Sequence, residues 1–222
     1  MLRLSKHLVA VLPASALLLG SATVSAQDPG AWKLPPPISA APDDLSGHFM
    51  VAPRVSWLVP MGSADSLRPQ RSITGTGAAF GLDLVYGISR YVDVHGRFDY
   101  GMLGRGSDCP AGQDCTGRAT AFGLGLGYHL VNGAAFDPWL QAGIGYRMIT
   151  FDQAGTKQTY GGLEWLHLAI GGEWYAARWF GVGPYFALDV GQYSSRPSDT
   201  QADSSIHSFL SLGMRGVIDP AR

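Results

Sequence analysis

The chain has 222 residues, of which 46% are hydrophobic and 15% are charged, and its formal net charge at pH 7 is −1. This length suits one domain with a sizeable core or one small barrel. Because acidic and basic residues nearly balance and no basic arm or patch occurs, the composition gives no reason to expect a nucleic-acid partner.

Residues 1–26 have the features of a secretory signal peptide. Arg3 and Lys6 give the segment a positively charged start. The apolar run at 8–20 is shorter than the roughly 20 residues that a membrane-spanning helix needs. Small residues at 24–26 predict a cleavage site, so the mature chain is expected to begin near Gln27. An uncleaved anchor is the alternative.

Residues 27–46 are predicted to form a proline-rich tail. Pro35, Pro36 and Pro37 follow one another, and consecutive prolines favour an extended segment without internal hydrogen bonds. A plain disordered linker is the alternative for the same residues.

From residue 47 onward, apolar and polar residues alternate with a period of two, which indicates β-strands with one apolar and one polar face. In the third segment, for example, Asp93, Arg97 and Asp99 alternate with Val94 and Phe98. The predicted strands are residues 48–60, 76–86, 91–102, 119–130, 139–151, 163–175, 180–192 and 206–218.

The polar faces of these strands carry many charges and glycines, which favours lipid on the apolar side and a polar interior. Apart from 8–20, no uninterrupted apolar run approaches the length of a spanning helix. A membrane protein without helical spans must close its sheet, because unpaired strand edges are too costly in hydrocarbon. The sequence therefore predicts an all-β fold, an eight-stranded antiparallel up-and-down transmembrane β-barrel over residues 47–218, followed by a short tail at 219–222.

The connections between predicted strands alternate in length, as they do in outer-membrane barrels with long external loops and short periplasmic turns. This predicts four surface-exposed loops, both termini in the periplasm, and a location in the outer membrane of a Gram-negative bacterium. The long connections are 61–75, 103–118, 152–162 and 193–205, and the short ones are 87–90, 131–137 and 176–179.

Positive and negative residues nearly balance on the inward faces, and buried charges are tolerable when they are paired and hydrogen-bonded. Inward glycines would leave room for long polar neighbours. We expect a salt-bridged interior with little or no continuous pore, because eight strands enclose just enough space for side chains. For the inward histidines, a hydrogen-bonded structural role is favoured over a metal site. The predicted network contains Arg54, Asp83, Asp93, His95, Arg97, Asp99, His129, Arg147, His167, Glu173, Asp189 and Arg215.

Aromatic residues collect near the ends of the predicted strands, where their rings suit the headgroup region of a membrane. Ordinary core aromatics are the alternative. Phe151 and Tyr160 are also assigned to the girdle on the long-loop side, while the alternation places Trp165 on the inward face. The predicted interface residues are Trp57, Tyr86, Tyr91, Tyr128, Trp139, Trp165, Trp174 and Trp179.

Two further features bear on chemistry. Cys109 and Cys115 lie close together in a polar loop of an exported chain, which predicts a disulfide over free thiols or a weak metal site. Glu164, His207 and Ser208 have the residue types of a catalytic triad, but strand seven separates Glu164 from Ser208, so a direct hydrogen bond is not expected. No enzyme activity and no cofactor are predicted.

The region from about 47 to 218 resembles the small outer-membrane barrel families typified by the OmpA transmembrane domain and OmpX. The resemblance rests on glycine-rich strands such as residues 121–128, Ala-Phe-Gly-Leu-Gly-Leu-Gly-Tyr. It implies contact with outer-membrane lipid and insertion by the outer-membrane assembly machinery. This chain departs from the pattern in two ways, since no peptidoglycan-binding domain follows the barrel and no terminal aromatic follows Ile218.

The leading functional hypothesis is a non-enzymatic barrel with a structural or surface-interaction role. A small pore or a conduit for hydrophobic solutes is the second. The third is a soluble periplasmic binding barrel of lipocalin type, in which the apolar faces would line a cavity and the charged faces would meet water. No residue pattern identifies a surface ligand.

Overall fold

A computed structural model describes residues 43–130, 135–153, 155–195, 197 and 203–221. The predicted signal peptide and the predicted tail up to residue 42 lie outside the described residues. Within the described part of the chain, no helix is both long enough and apolar enough to cross a membrane.

The described chain folds into a closed barrel of antiparallel strands, in which each strand pairs with its sequence neighbours and the first pairs with the last. This confirms the predicted fold. A four-residue helix, α1 (Gln70–Ile73), lies between the first two strands. The strands are β1 (Phe49–Gly62), β2 (Thr74–Gly87), β3 (Val92–Arg105), β4 (Cys115–His129), β5 (Phe136–Gln153), β6 (Thr156–Ala177), β7 (Phe180–Ser195) and β8 (Ile206–Ile218).

The two faces of the barrel differ as the period-two pattern predicts. Large apolar side chains point away from the interior, and Leu124 on β4 is 67% exposed. Charged side chains point inward, and Arg147 on β5 is 2% exposed. A lipocalin-type barrel would need the opposite arrangement, so the structure is inconsistent with that hypothesis.

The connection between β5 and β6 is much shorter than predicted. The two strands remain paired up to Gln153 and Thr156, so the predicted loop at 152–162 is wrong. Near the tip both faces are polar, and the Thr150 and Thr159 hydroxyls lie 3.1 Å apart on the outer face. The tip of the hairpin therefore lacks the alternation of apolar and polar residues by which a strand is predicted, although its backbone pairing continues.

A β-bulge in β6 reverses the faces of its first half. Between Gly143 and Gly145 on β5, β6 advances from His167 to Glu164 and so contains one extra residue. Trp165, which the alternation places inside, is 47% exposed on the outer face, while Glu164 is fully buried. The inward placement of Trp165 is wrong because an extra residue shifts the alternation by one position.

The residues just before β1 cover the end of the barrel that carries the short turns, here called the short-turn end. The Gly47 amide donates to the Gly87 carbonyl and the Gly87 amide donates to the His48 carbonyl, both at 2.9 Å. Leu45 is fully buried among residues of the inner face. His48 Nδ1 lies 2.6 Å from Asp219 Oδ2, which ties the start of β1 to the residue after β8.

Candidate functional site in the barrel interior and at its long-loop end

An ionic layer crosses the middle of the interior and consists of Arg97, Arg147, Glu164, His167 and Asp189. Arg97 Nη2 lies 2.5 Å from Glu164 Oε2, and its Nη1 lies 2.9 Å from Asp189 Oδ1. Arg147 pairs with the same two carboxylates, through Nε to Glu164 and through Nη2 to Asp189 at 2.9 Å. His167 Nδ1 lies 2.6 Å from Asp189 Oδ1.

These groups come from four strands, because β3, β5, β6 and β7 curve around the interior and aim their inward side chains at one region. Two guanidinium groups face two carboxylates, so each charge in the layer has partners of opposite sign. Such pairing offsets the large cost of removing ions from water. Glu164 bridges both arginines, yet it is not among the predicted network residues, because the bulge hides its inward orientation.

A second group of ion pairs lies on the short-turn side of the layer. Arg54 Nη2 lies 2.8 Å from Asp83 and 3.1 Å from Asp99. Arg215 Nη1 lies 2.5 Å from Glu173 Oε1, and its Nε lies 3.5 Å from Asp83. Asp83 therefore lies between two arginines and links β1, β2 and β8.

Histidines and aspartates form a third group close to the short turns. Asp93 lies 3.1 Å from His95 Nδ1 and 3.1 Å from His129 Nε2. The other nitrogen of His129 is 2.8 Å from Asp137, a buried residue of β5 that the sequence pattern places in the short connection 131–137. Among the described residues, no set of three or more histidine, cysteine or acidic side chains has an arrangement that would hold a metal ion.

Glycines on the inner face provide the space that these polar groups occupy. A Cβ added at Gly125 would lie 2.6 Å from both His95 Nε2 and the Ala142 carbonyl oxygen. A Cβ at Gly81 would lie 2.5 Å from Asp99 Oδ1. Both distances are far below van der Waals contact, so the charged side chains fit only because their neighbours have no side chain.

Little space remains beside the ionic layer. A cavity of about 10 Å³ lies beside the ionic layer and is bordered by Arg54, Arg97, Arg147 and Asp189, among others. That volume is about the minimum for one water molecule. The interior is therefore filled with side chains at this level.

An aromatic layer lies next to the ionic layer and consists of Phe151, Tyr160, Tyr193, His207 and Phe209. On β5, β6 and β7, the aromatic residue is four positions closer to the long-loop end than the charged residue of the ionic layer. The rings of Tyr193 and His207 stack with centroids 4.0 Å apart. The guanidinium of Arg147 lies 4.2 Å from the Phe209 ring centroid, which joins the two layers.

Two of these aromatics correct the sequence prediction. Phe151 and Tyr160 are buried inside the barrel and do not belong to an outer girdle. Their strands continue past the predicted ends, and the bulge in β6 sets the inward orientation of Tyr160. A ring near a strand end fits either a membrane interface or an interior, so residue type alone cannot distinguish the two.

Trp139 is also misplaced by the sequence prediction. It is 4% exposed on the inner face, where its ring lies 4.6 Å from the Arg215 guanidinium. The position has the same parity as inward Gln141, so the alternation favoured the interior even though the residue type suggested an interface. The other predicted interface aromatics all point outward, and their contact with lipid remains a prediction: Trp57, Tyr86, Tyr91, Tyr128, Trp165, Trp174 and Trp179.

At the end that carries the long connections, here called the long-loop end, Asp65 anchors the segment before α1. Its carboxylate accepts hydrogen bonds from the Leu67 amide at 3.0 Å and from the Arg68 amide at 2.9 Å. Arg68 Nε donates to the other oxygen at 3.0 Å, and the Tyr160 hydroxyl donates to the same oxygen at 3.3 Å. Burial by itself raises the pKa of Asp65, but the hydrogen bonds from Arg68 and Leu67 outweigh burial and hold that pKa below its ordinary value.

The predicted disulfide is confirmed, since Cys109 and Cys115 are bonded to each other. The bond fastens the connection after β3 to the first residue of β4. Beside it lies a cavity of about 170 Å³ between α1, this connection and the β5–β6 hairpin. Polar groups of Arg68, Asp108 and Gln158 line it together with the buried ring of Phe151.

The residues with triad chemistry are not brought together. Glu164 is committed to the two arginines of the ionic layer. His207 is buried inside the barrel, whereas Ser208 follows it on the outward face of the same strand. Consecutive strand residues point to opposite faces, so these two cannot act as base and nucleophile on one substrate.

No protein-family model matches the chain, and no curated protein matches it. Among solved structures, it is similar to Neisserial surface protein A (NspA), with a TM-score of 0.52, 14% identity, and coverage of 75% of this chain and 95% of that one. The chain has the fold of a small outer-membrane β-barrel. Matches also include Ail, the attachment invasion locus protein of Yersinia pestis (TM-score 0.48, 13% identity, 78% of this chain and 99% of that one). Another is the outer membrane protein OprG from Pseudomonas aeruginosa (TM-score 0.48, 13% identity, 78% and 96%).

Proposed function

We propose that this protein is a non-enzymatic β-barrel of the outer membrane of a Gram-negative bacterium, with a structural or surface-interaction role. The observation that carries the proposal is the filled interior inside an apolar outer face. The outer face suits hydrocarbon, and the closed ring of described strands leaves no open sheet edge in lipid.

The ionic layer argues against conduction. Glu164 and Asp189 each bind both Arg97 and Arg147, so the layer bridges opposite walls of the barrel. An ion would have to break several charge-assisted hydrogen bonds to pass. A hydrophobic solute would have to cross charged groups, and no apolar path along the axis leads around them in the described interior.

The long-loop end is the part of the protein that we expect to meet partners. The disulfide and the hydrogen bonds of Asp65 hold its connecting segments in place. The cavity of about 170 Å³ there is lined by both apolar and polar groups, among them Phe151, Arg68 and Gln158. This combination suits a small polar ligand or a side chain of a partner protein.

The proposal is tested with purified protein refolded into lipid vesicles and applied to gels with and without boiling. We expect a heat-dependent mobility shift, resistance to carbonate extraction, and no stable conductance steps in planar bilayers. Recovery of the protein in the soluble fraction without a mobility shift would contradict a membrane barrel. Steady single-channel conductance from the folded form would instead contradict the closed interior.

A further inference from the structure

The outward faces of the described strands carry very few charges, and all of them lie in one place. Arg118 on β4, Asp152 on β5 and Lys157 on β6 form this group, here called the charged patch. Every other outward position on the described strands is apolar, aromatic, glycine, or an uncharged polar residue. Such a concentration on an otherwise lipid-like surface calls for a partner that carries charge.

Strand pairing brings the charged patch together across the extended hairpin. Arg118 pairs with Thr150, Thr150 pairs with Thr159, and Asp152 pairs with Lys157. A depression of about 90 Å³ lies among these side chains and is lined by Thr116, Arg118, Thr150, Asp152 and Lys157. The residues therefore form one continuous surface that contains a shallow pocket.

The two cations are available for a ligand. Neither Arg118 nor Lys157 forms an ion pair or a side-chain hydrogen bond with any other described residue. The Asp152 carboxylate already accepts a hydrogen bond from the Gly155 amide at 3.0 Å, and it lies beyond 4 Å from both cations. The patch thus has two unpaired positive charges and one negative charge that is partly satisfied.

The height of Arg118 on the barrel matches the edge of the apolar band, and Asp152 and Lys157 lie two residues closer to the hairpin tip. Tyr128 and Arg118 lie at the two ends of an outward row on β4 that contains Phe122, Leu124 and Leu126. At the rise of a tilted barrel strand, Tyr128 and Arg118 are separated by roughly 24 Å along the membrane normal, close to the apolar band of about 25 Å. With Tyr128 at the short-turn edge, Arg118 stands at the level of the outer headgroups.

We propose that the charged patch binds the phosphate groups of a phosphorylated lipid in the outer leaflet. A guanidinium binds phosphate through two parallel hydrogen bonds, while a lysine ammonium adds a compact positive charge. Hydroxyls of Thr116 and Thr150 line the pocket and supply further donors. The negative charge of Asp152 repels a phosphate group. This repulsion limits how closely the headgroup can approach Lys157.

This inference rests on the proposed function, because the patch reaches a lipid headgroup only if the barrel spans a membrane. Its test uses the full mature chain folded in phosphatidylcholine nanodiscs that contain either lipid A, which carries phosphate groups on a sugar headgroup, or dephosphorylated lipid A. Bound lipid is counted by native mass spectrometry after detergent release.

We compare the unaltered protein with the double variant Arg118→Gln/Lys157→Gln. Each basic residue near an anionic surface contributes about fivefold in affinity, so the double variant should bind phosphorylated lipid roughly 25-fold more weakly. Its affinity for the dephosphorylated lipid should not change. Arg178→Gln, an exposed arginine in a short turn at the other end of the barrel, is the matched control and should retain full binding.

Asp152→Asn gives a test with the opposite sign. Removal of this negative charge should strengthen binding of the phosphorylated lipid by several-fold. Equal binding by the unaltered protein and the double variant would overturn the inference. Displacement of the lipid by an equal concentration of inorganic phosphate would also overturn it, because the site would then recognise free phosphate. The heat-dependent mobility shift is recorded on every sample. A folded barrel that does not prefer the phosphorylated lipid contradicts this inference alone. A protein that shows no mobility shift contradicts the proposed function.

Discussion

The ionic layer and the aromatic layer occupy neighbouring levels of the same interior and are held together in different ways. In the ionic layer, each partner depends on the others, because an arginine that loses its carboxylate becomes an unpaired buried charge. In the aromatic layer, contacts between rings depend mainly on shape and buried area. The first layer should therefore be sensitive to the chemistry of a substitution, and the second to its volume.

The largest effect is expected at Glu164. Glu164→Gln keeps the size of the side chain but removes one of the two carboxylates that Arg97 and Arg147 share, leaving Asp189 for both and Asp99 at 3.5 Å for Arg97 alone. We therefore expect a loss of about 3–5 kcal/mol in the free energy of unfolding. Urea titration of vesicle-bound protein, followed by tryptophan fluorescence and gel mobility, measures it. Asp114→Asn, on an exposed loop residue, is the control and should change stability by less than about 0.5 kcal/mol. A neutral result for Glu164→Gln would show that the ionic layer is dispensable for folding.

The next effect tests how tightly the charged residues are packed. Gly125→Ala would press a methyl group against His95 and the Ala142 carbonyl. We therefore expect the free energy of unfolding to fall by about 1–3 kcal/mol. Gly96→Ala is the matched control, because its added carbon points outward and would meet nothing closer than Leu124 Cδ2 at 3.7 Å. The same urea titration compares the two variants. Equal stabilities would contradict the argument that inner glycines make room for polar neighbours.

A smaller effect is expected in the aromatic layer. Phe209→Leu keeps an apolar side chain of similar volume, so the cost should stay below about 1.5 kcal/mol. The guanidinium of Arg147 touches the same ring. Arg147→Met should lower the free energy of unfolding by more than Phe209→Leu does, because Glu164 and Asp189 each lose a partner. Parallel unfolding curves rank the two variants. If Phe209→Leu proved the more damaging, the proposed difference between the layers would be wrong.

The smallest effect is local and concerns pH. Because the pKa of Asp65 is lower in the folded protein than in the unfolded chain, its contribution to stability is fully present above the ordinary aspartate pKa of about 4. The contribution is lost as pH falls through the lower, folded value. The protection factors of the Leu67 and Arg68 amides, which are exchange rates corrected for the intrinsic slowing of exchange in acid, should therefore fall at low pH, as measured by hydrogen–deuterium exchange. In Asp65→Asn, exchange at these amides should already be fast near neutral pH and should lose this acid-dependent step.

The inner charges were predictable from the sequence because charge and alternation point in the same direction. Asp83, Arg97, Arg147 and Asp189 all lie inside and all pair with one another or with close neighbours. The number of strands was predictable for a related reason, since each outward row of apolar residues is long enough to cross a membrane.

The wrong sequence predictions lie at positions where residue type and alternation point in different directions, or where the alternation is absent. Glu164 and Trp165 exchanged faces because a single inserted residue shifts the alternation, and no residue type marks that insertion. The sequence wrongly predicts Trp139, Phe151 and Tyr160 on the outside, because an aromatic ring is suited both to a membrane interface and to a packed interior. The tip of the β5–β6 hairpin carries polar residues on both faces, so the period-two pattern predicts a loop where the strands are in fact paired.

The contact between His48 and Asp219 joins positions that are 171 residues apart in sequence, and β1 pairs with β8 along the same seam. Neither strand can complete its hydrogen bonds until the other is present. This seam joins the two ends of the strand sequence, and a barrel that lacks either strand has two open edges. Loss of either terminal strand would therefore leave unpaired backbone groups on both sides of the gap, and the barrel depends on both ends of its chain for a closed sheet.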